Sequence, residues 1–83
     1  MQAYILIKCT PGSENRIISE FSELKEIVEI NGIWGAYDIF LKITTLDPFG
    51  IDAIVKRLRN HPDITFTETC DVLYGQGGTI DHK

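Results

Sequence analysis

Two hydrophobic periods alternate along this chain, and their order restricts its fold more than any other feature. A period of two marks a strand, whose successive side chains take opposite faces, whereas recurrence at i, i+3, i+4 and i+7 marks a helix buried along one stripe. Gln2–Cys9 (QAYILIKC) is short, apolar and β-branched, the pattern of a buried strand, and Thr10-Pro11-Gly12-Ser13 ends it. Ile17, Ile18, Phe21 and Leu24 then share one helical face, with Glu14 in the first turn, where a carboxylate suits the helix dipole. Thr10 and Ser13 both stand where a cap belongs. Residues 26–33 (EIVEINGI) form a second strand, Gly32 and Gly35 bracket a turn around Trp34, and residues 37–44 (YDIFLKIT) form a third strand. Asp47-Pro48 opens a second helix, an acceptor at the N-cap followed by proline at N1. Ile51, Ile54, Val55 and Leu58 lie along its buried face, Arg57 and Arg59 near its C-terminal end, and His61-Pro62 stops it. Residues 64–74 (ITFTETCDVLY) are a fourth strand rich in threonine, and 75–83 form a glycine-rich tail without period.

The resulting β-α-β-β-α-β order is that of two interlocked β-α-β units, the split or ferredoxin-like α+β arrangement. It predicts a four-stranded antiparallel sheet with strands one and three at the centre and, because crossovers are right-handed, both helices on one face. Residues 1–74 make this domain. Strand one then offers Ile5 and Ile7 to one face and Tyr4 and Leu6 to the other; strand three offers Ile39, Leu41 and Ile43 to one and Phe40 to the other. Two helices cover one face only, which leaves Tyr4, Leu6 and Phe40 on the uncovered side. At ~1.5–3 kcal/mol for each such side chain, their burial is worth on the order of 5–9 kcal/mol before association costs. A chain of 83 residues hides only a little over ~60% of its unfolded surface. An obligate oligomer with sheet packed on sheet is therefore expected, with Tyr4, Leu6 and Phe40 as its interface.

Composition removes several function classes. Twelve acids against eight bases give a net charge of −4, too few cations for the broad basic face that a nucleic-acid binder or an anionic membrane surface demands. The longest uncharged apolar run, residues 3–7, falls far short of the ~20 residues that span a bilayer, and no secretory leader pattern is present, so the chain reads as cytoplasmic. Cys9 and Cys70 do not make a disulfide framework and read as small buried hydrophobes. His61 abuts a proline and His82 lies in the tail; no His-x-x-x-His or Cys-x-x-Cys spacing supplies a metal ligand set, and no serine stands in a nucleophile turn. Neither a metal nor another cofactor is expected, nor catalysis. The Gly75-Gln76-Gly77-Gly78 stretch follows a strand, but too few residues remain for the helix a phosphate loop requires.

The densest polar and aromatic cluster is Asn31-Gly32-Ile33-Trp34-Gly35-Ala36-Tyr37-Asp38. Glycine lets a ligand approach the backbone, tyrosine and tryptophan supply flat walls, and Asp38 breaks an otherwise apolar strand. Such a loop can hold a small zwitterion, with Asp38 against the ammonium and backbone N–H groups against the carboxylate. It also reads as a glycine turn whose aspartate satisfies loop amides. Thr67 and Thr69 alternate on one face of strand four, as in an exposed sheet edge or as hydroxyls toward a ligand at a subunit boundary.

With those residues in hand, the chain resembles the ligand-binding, oligomerising (RAM) domain of the Lrp/AsnC (feast/famine) transcription regulators. The resemblance spans roughly residues 3–73. It rests on Thr10-Pro11-Gly12 after the opening strand, on Gly35-Ala36-Tyr37-Asp38 running into Ile39-Phe40-Leu41-Lys42-Ile43, and on Thr67-Glu68-Thr69 in the last strand. It implies a ferredoxin-like domain that pairs through its sheets in a dimeric α+β barrel-type assembly and builds rings of dimers, commonly octamers. It implies an amino acid or similar small effector bound between dimers, with Gly35, Ala36, Tyr37 and Asp38, flanked by Trp34, and with Thr67 and Thr69, as effector-site residues. Trp34 departs from the pattern, since a threonine or other small residue is common there. No helix-turn-helix precedes Met1, so the chain resembles the stand-alone members, acting on a full-length regulator by mixed assembly rather than on DNA directly. The alternatives are a small dimeric α+β barrel enzyme with a hydrophobic substrate in a sheet–helix cavity, and a purely structural assembly domain.

Overall fold

Ala3, Ile5, Ile7 and Cys9 alternate along β1 (Gln2–Cys9) and all turn to one side of it, each buried, while Gln2, Tyr4 and Lys8 turn to the other and stay in water. The same sorting recurs in β3 (Ile39–Thr44), where Ile39, Leu41 and Ile43 are buried to the last few square ångströms. These features come from a computed structural model that describes residues 1–82. Two further strands, β2 (Ile27–Gly32) and β4 (Ile64–Asp71), and two helices, α1 (Glu14–Phe21) and α2 (Pro48–Arg59), complete the expected order. The sheet runs β2-β3-β1-β4, with every neighbouring pair antiparallel. Ile5 stands opposite Leu41 on one side and Thr69 on the other. Ile17 and Phe21 of α1 and Ile51, Ile54 and Leu58 of α2 close over that face to form one core with Ala3, Ile5, Ile7, Ile39, Leu41 and Ile43.

Both helix starts show how local chemistry places the ends. At α2 the Asp47 side chain accepts from the Gly50 N–H at 3.1 Å, and Pro48 occupies the first turn, as the sequence predicts. Gly50 lies so close to Thr45 that an added Cβ would come within 2.8 Å of that residue's Cβ. At α1 neither candidate hydroxyl caps the helix. Ser13 is the N-cap residue, but its Oγ donates backward to the Thr10 carbonyl at 2.6 Å, and the Glu14 carboxylate accepts from the Gly12 N–H at 3.1 Å. An ion pair between Arg16 and Asp63 then ties α1 to the start of β4.

Five boundaries differ from the periodicity. α1 ends at Phe21, and Leu24 reaches the core from the following turn, because the Ser22 hydroxyl donates back to the Ile18 carbonyl and the chain tightens there. β2 is shorter by a residue at each end. β3 starts at Ile39 rather than Tyr37, and β4 ends at Asp71 rather than Tyr74; its last link is the Val72 N–H to the Gln2 carbonyl at 3.1 Å. One burial expectation fails outright. Cys9 is buried, but Cys70 is exposed, because its register partner is Tyr4 and both point away from the helices.

The uncovered face carries Tyr4, Leu6 and Lys8 from β1, Phe40 and Lys42 from β3, and Phe66, Glu68 and Cys70 from β4. Tyr4 and Phe40 rings lie 5.5 Å apart, and Leu6 stands opposite Phe40. Tyr4 remains 37% exposed, whereas Leu6 and Phe40 are already half-buried by their neighbours, so the area left for a partner is smaller than three bare side chains would give.

Candidate functional site

The loop between β2 and β3 is fastened to the end of β1 by one residue. The Asp38 N–H donates to the Ile7 carbonyl at 2.8 Å, its carbonyl accepts from the Ile33 N–H at 3.0 Å, and its carboxylate Oδ2 accepts from the Cys9 N–H at 2.9 Å. The loop-amide role is therefore real. It uses one carboxylate oxygen, and Asp38 also lines a shallow depression of about 430 Å³ together with Glu14, Gly32, Ile33, Trp34 and Gly35. Two of these six residues carry carboxylates and none is basic. Gly35 is required by the backbone, not by space: its φ is +135°, a region that other residues rarely enter, while nothing lies within 4 Å of an added Cβ. Trp34 projects fully into water at the hairpin tip, with Ala36 exposed beside it.

The Cys9 thiol sits behind this wall. Burial chiefly pushes its pKa above the ordinary thiol range; the charges of Asp38 and Glu14 add to the rise, and a hydrogen bond with Ser13 opposes it. A thiol held in its protonated form is a poor nucleophile, which fits a structural role.

Tyr37 goes elsewhere. Its phenol donates to Glu68 Oε2 at 2.8 Å, its ring lies 6.3 Å from that of Phe66, and Lys8 Nζ stands 5.4 Å from the Tyr37 ring centre and 5.7 Å from the Phe66 centre. All three partners belong to the uncovered sheet face. The hydrogen bond to Glu68 raises the phenol pKa above its usual value.

Thr67 and Thr69 occupy a third location. They stand opposite Ile7 and Ile5, on the helix side of β4. Thr67 is half-buried and lines a separate depression of about 350 Å³ with Arg59, Ile64, Thr65 and Phe66; Thr69 is exposed. Since β1 intervenes, two strand spacings, about 10 Å, separate Thr67 from Asp38. A single copy thus brings Trp34, Gly35 and Asp38 together and leaves Tyr37 and the threonines on other surfaces. Sequence reasoning passed over Glu14 as a site residue, and Lys8, Phe66 and Glu68 as the holders of Tyr37. For Glu14 the available signal was its place in the first turn of α1, just after the Thr10-Pro11-Gly12 motif; for Glu68, its position inside the Thr67-Glu68-Thr69 motif.

The chain matches the family model described as the Lrp/AsnC ligand binding domain over residues 2–74. It is 30% identical over 73 residues to the HTH-type transcriptional regulator FL11 of Pyrococcus horikoshii; the match takes in 88% of this chain and 48% of that protein, so the chain spans about half the length of this curated relative. Among solved structures it is similar to FFRP-DM1, with a TM-score of 0.82 and 26% identity, covering 87% of this chain and 97% of the other. It shares its fold with a transcriptional regulator of Neisseria meningitidis solved as a complex with L-Met, at a TM-score of 0.80 and 18% identity, covering 94% of this chain and 53% of that one. Strand order, loop motif and family model agree: the chain belongs to the Lrp/AsnC ligand-binding domain family.

Proposed function

We propose that this chain is an amino-acid-binding, self-assembling effector module, cytoplasmic and not catalytic, which modulates transcription regulators of its family without touching DNA itself. The observation that carries the reading is the acidic depression at the β2–β3 loop. Asp38 is fixed there by three backbone hydrogen bonds, keeps a second carboxylate oxygen for a ligand, and stands among walls without a basic group. An α-ammonium suits such a wall, and the exposed amides of the glycine-containing loop suit a carboxylate. The L-Met bound to the Neisseria regulator is the kind of ligand this chemistry selects.

The mechanism is linkage. Gly35, Ala36, Tyr37, Asp38 and Trp34 of one copy, with Thr67 and Thr69, form a complete seat only where dimers meet, since one copy holds them apart. An effector in that seat stabilises the assembly that forms it by RT ln(1 + [L]/Kd). The uncovered face with Tyr4, Leu6 and Phe40 pairs two copies, dimers close into a ring such as an octamer, and a full-length regulator joins by mixed assembly. Against the alternative of an enzyme with a sheet–helix cavity, we weigh that the buried side chains of Ile5, Ile7, Ile17, Phe21, Leu41 and Leu58 pack between sheet and helices.

Calorimetry with a panel of amino acids tests the reading. Asp38→Asn keeps an acceptor for the Cys9 N–H and removes the charge, so at least one amino acid is expected to bind about tenfold or more weakly to it than to the parent chain. Equal affinity for both chains would remove Asp38 from the site. No binding of any amino acid to the parent would end the effector role.

A further inference from the structure

Tyr37 and Asp38 are adjacent in the chain yet belong to different surfaces. Asp38 is spliced to the end of β1 and faces the loop depression. Tyr37 lies on the uncovered face, where Glu68 Oε2 accepts a hydrogen bond from its phenol at 2.8 Å, Phe66 backs its ring, and Lys8 stands over both rings. Glu68 stands opposite Leu6, and Leu6 opposite Phe40, so this anchor adjoins the apolar patch of Tyr4, Leu6 and Phe40. A peptide unit is rigid and planar. A displacement of Asp38 that the flanking φ, ψ and the Tyr37 side-chain torsions do not absorb strains the phenol's hydrogen bond.

We infer, building on the effector reading above, that the Tyr37–Glu68 hydrogen bond links the amino-acid seat to the sheet face, with Glu68 as a positioning residue that acts through Tyr37. The bond suits this task because its acceptor is a carboxylate and such bonds are short, directional and roughly twice as strong as neutral ones. Lys8 and Phe66 flank the ring in its docked position. An effector ammonium drawn to Asp38 biases that position, and the docked phenol shapes the rim of the face on which a second copy rests. Coupling is reciprocal: pairing of the faces strengthens effector binding by the same factor.

The test uses the full chain and three variants, Tyr37→Phe, Glu68→Val and Glu68→Gln. Tyr37→Phe removes the donor alone, Glu68→Val removes the acceptor and keeps strand propensity, and Glu68→Gln retains a carbonyl acceptor. The first readout needs no ligand: amide hydrogen exchange at Cys9 and Asp38, the two N–H groups that hold the loop. Exchange is expected to quicken about tenfold in Tyr37→Phe and Glu68→Val and to stay near parental in Glu68→Gln. The second readout is self-association by sedimentation, with and without an equimolar mixture of the twenty amino acids. The mixture is expected to shift association in the parent and in Glu68→Gln, and to lose about tenfold of that shift in the other two. Parental exchange at Cys9 and Asp38 in both Tyr37→Phe and Glu68→Val overturns the link, whether or not an amino acid binds. Altered exchange with undiminished ligand-driven shifts also overturns it, because the tie would then be local only. A parent chain whose association ignores the amino-acid mixture while its exchange tracks the Tyr37 variants sinks the effector reading instead, so the two failures are distinct. Tyr37→Phe and Glu68→Val break the bond from opposite ends, and misfolding of either leaves the other to decide.

Discussion

Truncating Tyr4 isolates the role of the uncovered sheet face. The residue is 37% exposed, stands outside the core, and touches Phe40 at a ring separation of 5.5 Å. An aromatic side chain of this size offers roughly 200 Å², so about 75 Å² stays available to a partner, worth about 2 kcal/mol at ~25 cal/mol per Å². In a twofold pairing every contact is made twice. Tyr4→Ala is thus expected to weaken dimerisation by up to about 4 kcal/mol, or roughly three decades in Kd. The monomer itself should stay folded, because the buried set of Ala3, Ile5 and Ile7 on the other side of β1 is untouched. Sedimentation equilibrium across a dilution series measures the shift, and circular dichroism checks the fold. A folded Tyr4→Ala with the parental dissociation constant would refute the reasoning. So would a parent chain that sediments as a folded 9.4 kDa particle at micromolar concentration.

Alkylation of the native protein should modify Cys70 and spare Cys9, with a second equivalent taken up only after unfolding; the Cys70 rate should fall as concentration rises if copies pair as proposed, since that thiol lies on the uncovered sheet face. The raised Cys9 pKa sets a direction for stability. The folded state favours the thiol, so its contribution is complete below the unfolded value of about 8.5 and is lost as pH rises through the higher folded value. Urea midpoints should accordingly decline more steeply from about pH 8 to about pH 10 in the parent than in Cys9→Ala, and parallel declines would dismiss the effect. Gly50→Ala should destabilise by about 1–3 kcal/mol through the 2.8 Å approach to Thr45, against the ~1 kcal/mol that helix propensity alone would add in its favour; a stabilised variant in urea denaturation contradicts the packing. Asp47→Ala should cost about 1 kcal/mol in the same assay by removing the side-chain acceptor of the Gly50 N–H.

The architecture was legible because burial repeats. Ala3, Ile5, Ile7 and Cys9 on β1 and Ile39, Leu41 and Ile43 on β3 each report the same face every second residue, and Ile51, Ile54 and Leu58 report one stripe of α2. Errors gathered where a single hydrogen bond outweighs periodicity. The Ser22 hydroxyl turns α1 aside before Leu24 completes its stripe, and Ser13 bonds backward to Thr10 instead of capping. No hydrophobic pattern encodes either choice. Cys70 was misplaced for a related reason: in a strand where threonines hold the helix side, the apolar residues do not mark the core, and only the register with Tyr4 shows which way the thiol points.

The site was legible as a segment and not as a geometry. Gly35, Tyr37 and Asp38 stand together in the sequence, and simple alternation would carry Tyr37 to the same side as Ile39. It does not, because regular strand geometry begins only at Ile39. Ahead of that point Asp38 bonds three ways to β1 and the loop, and Gly35 with its φ of +135° lets the chain leave the sheet. Tyr37 is then free of the pleat and goes where a carboxylate, a ring and a cation converge. Those partners, Lys8, Phe66 and Glu68, lie 29 to 31 positions away in the chain, and the sheet order β2-β3-β1-β4 is what brings them near. A motif read as one pocket therefore places Asp38 at the loop depression and Tyr37 on the uncovered face, and a single peptide bond joins the two. The proposed coupling uses that adjacency: the proposed seat and the proposed contact face are one residue apart, and breaking the Tyr37 bond to Glu68 is expected to uncouple them.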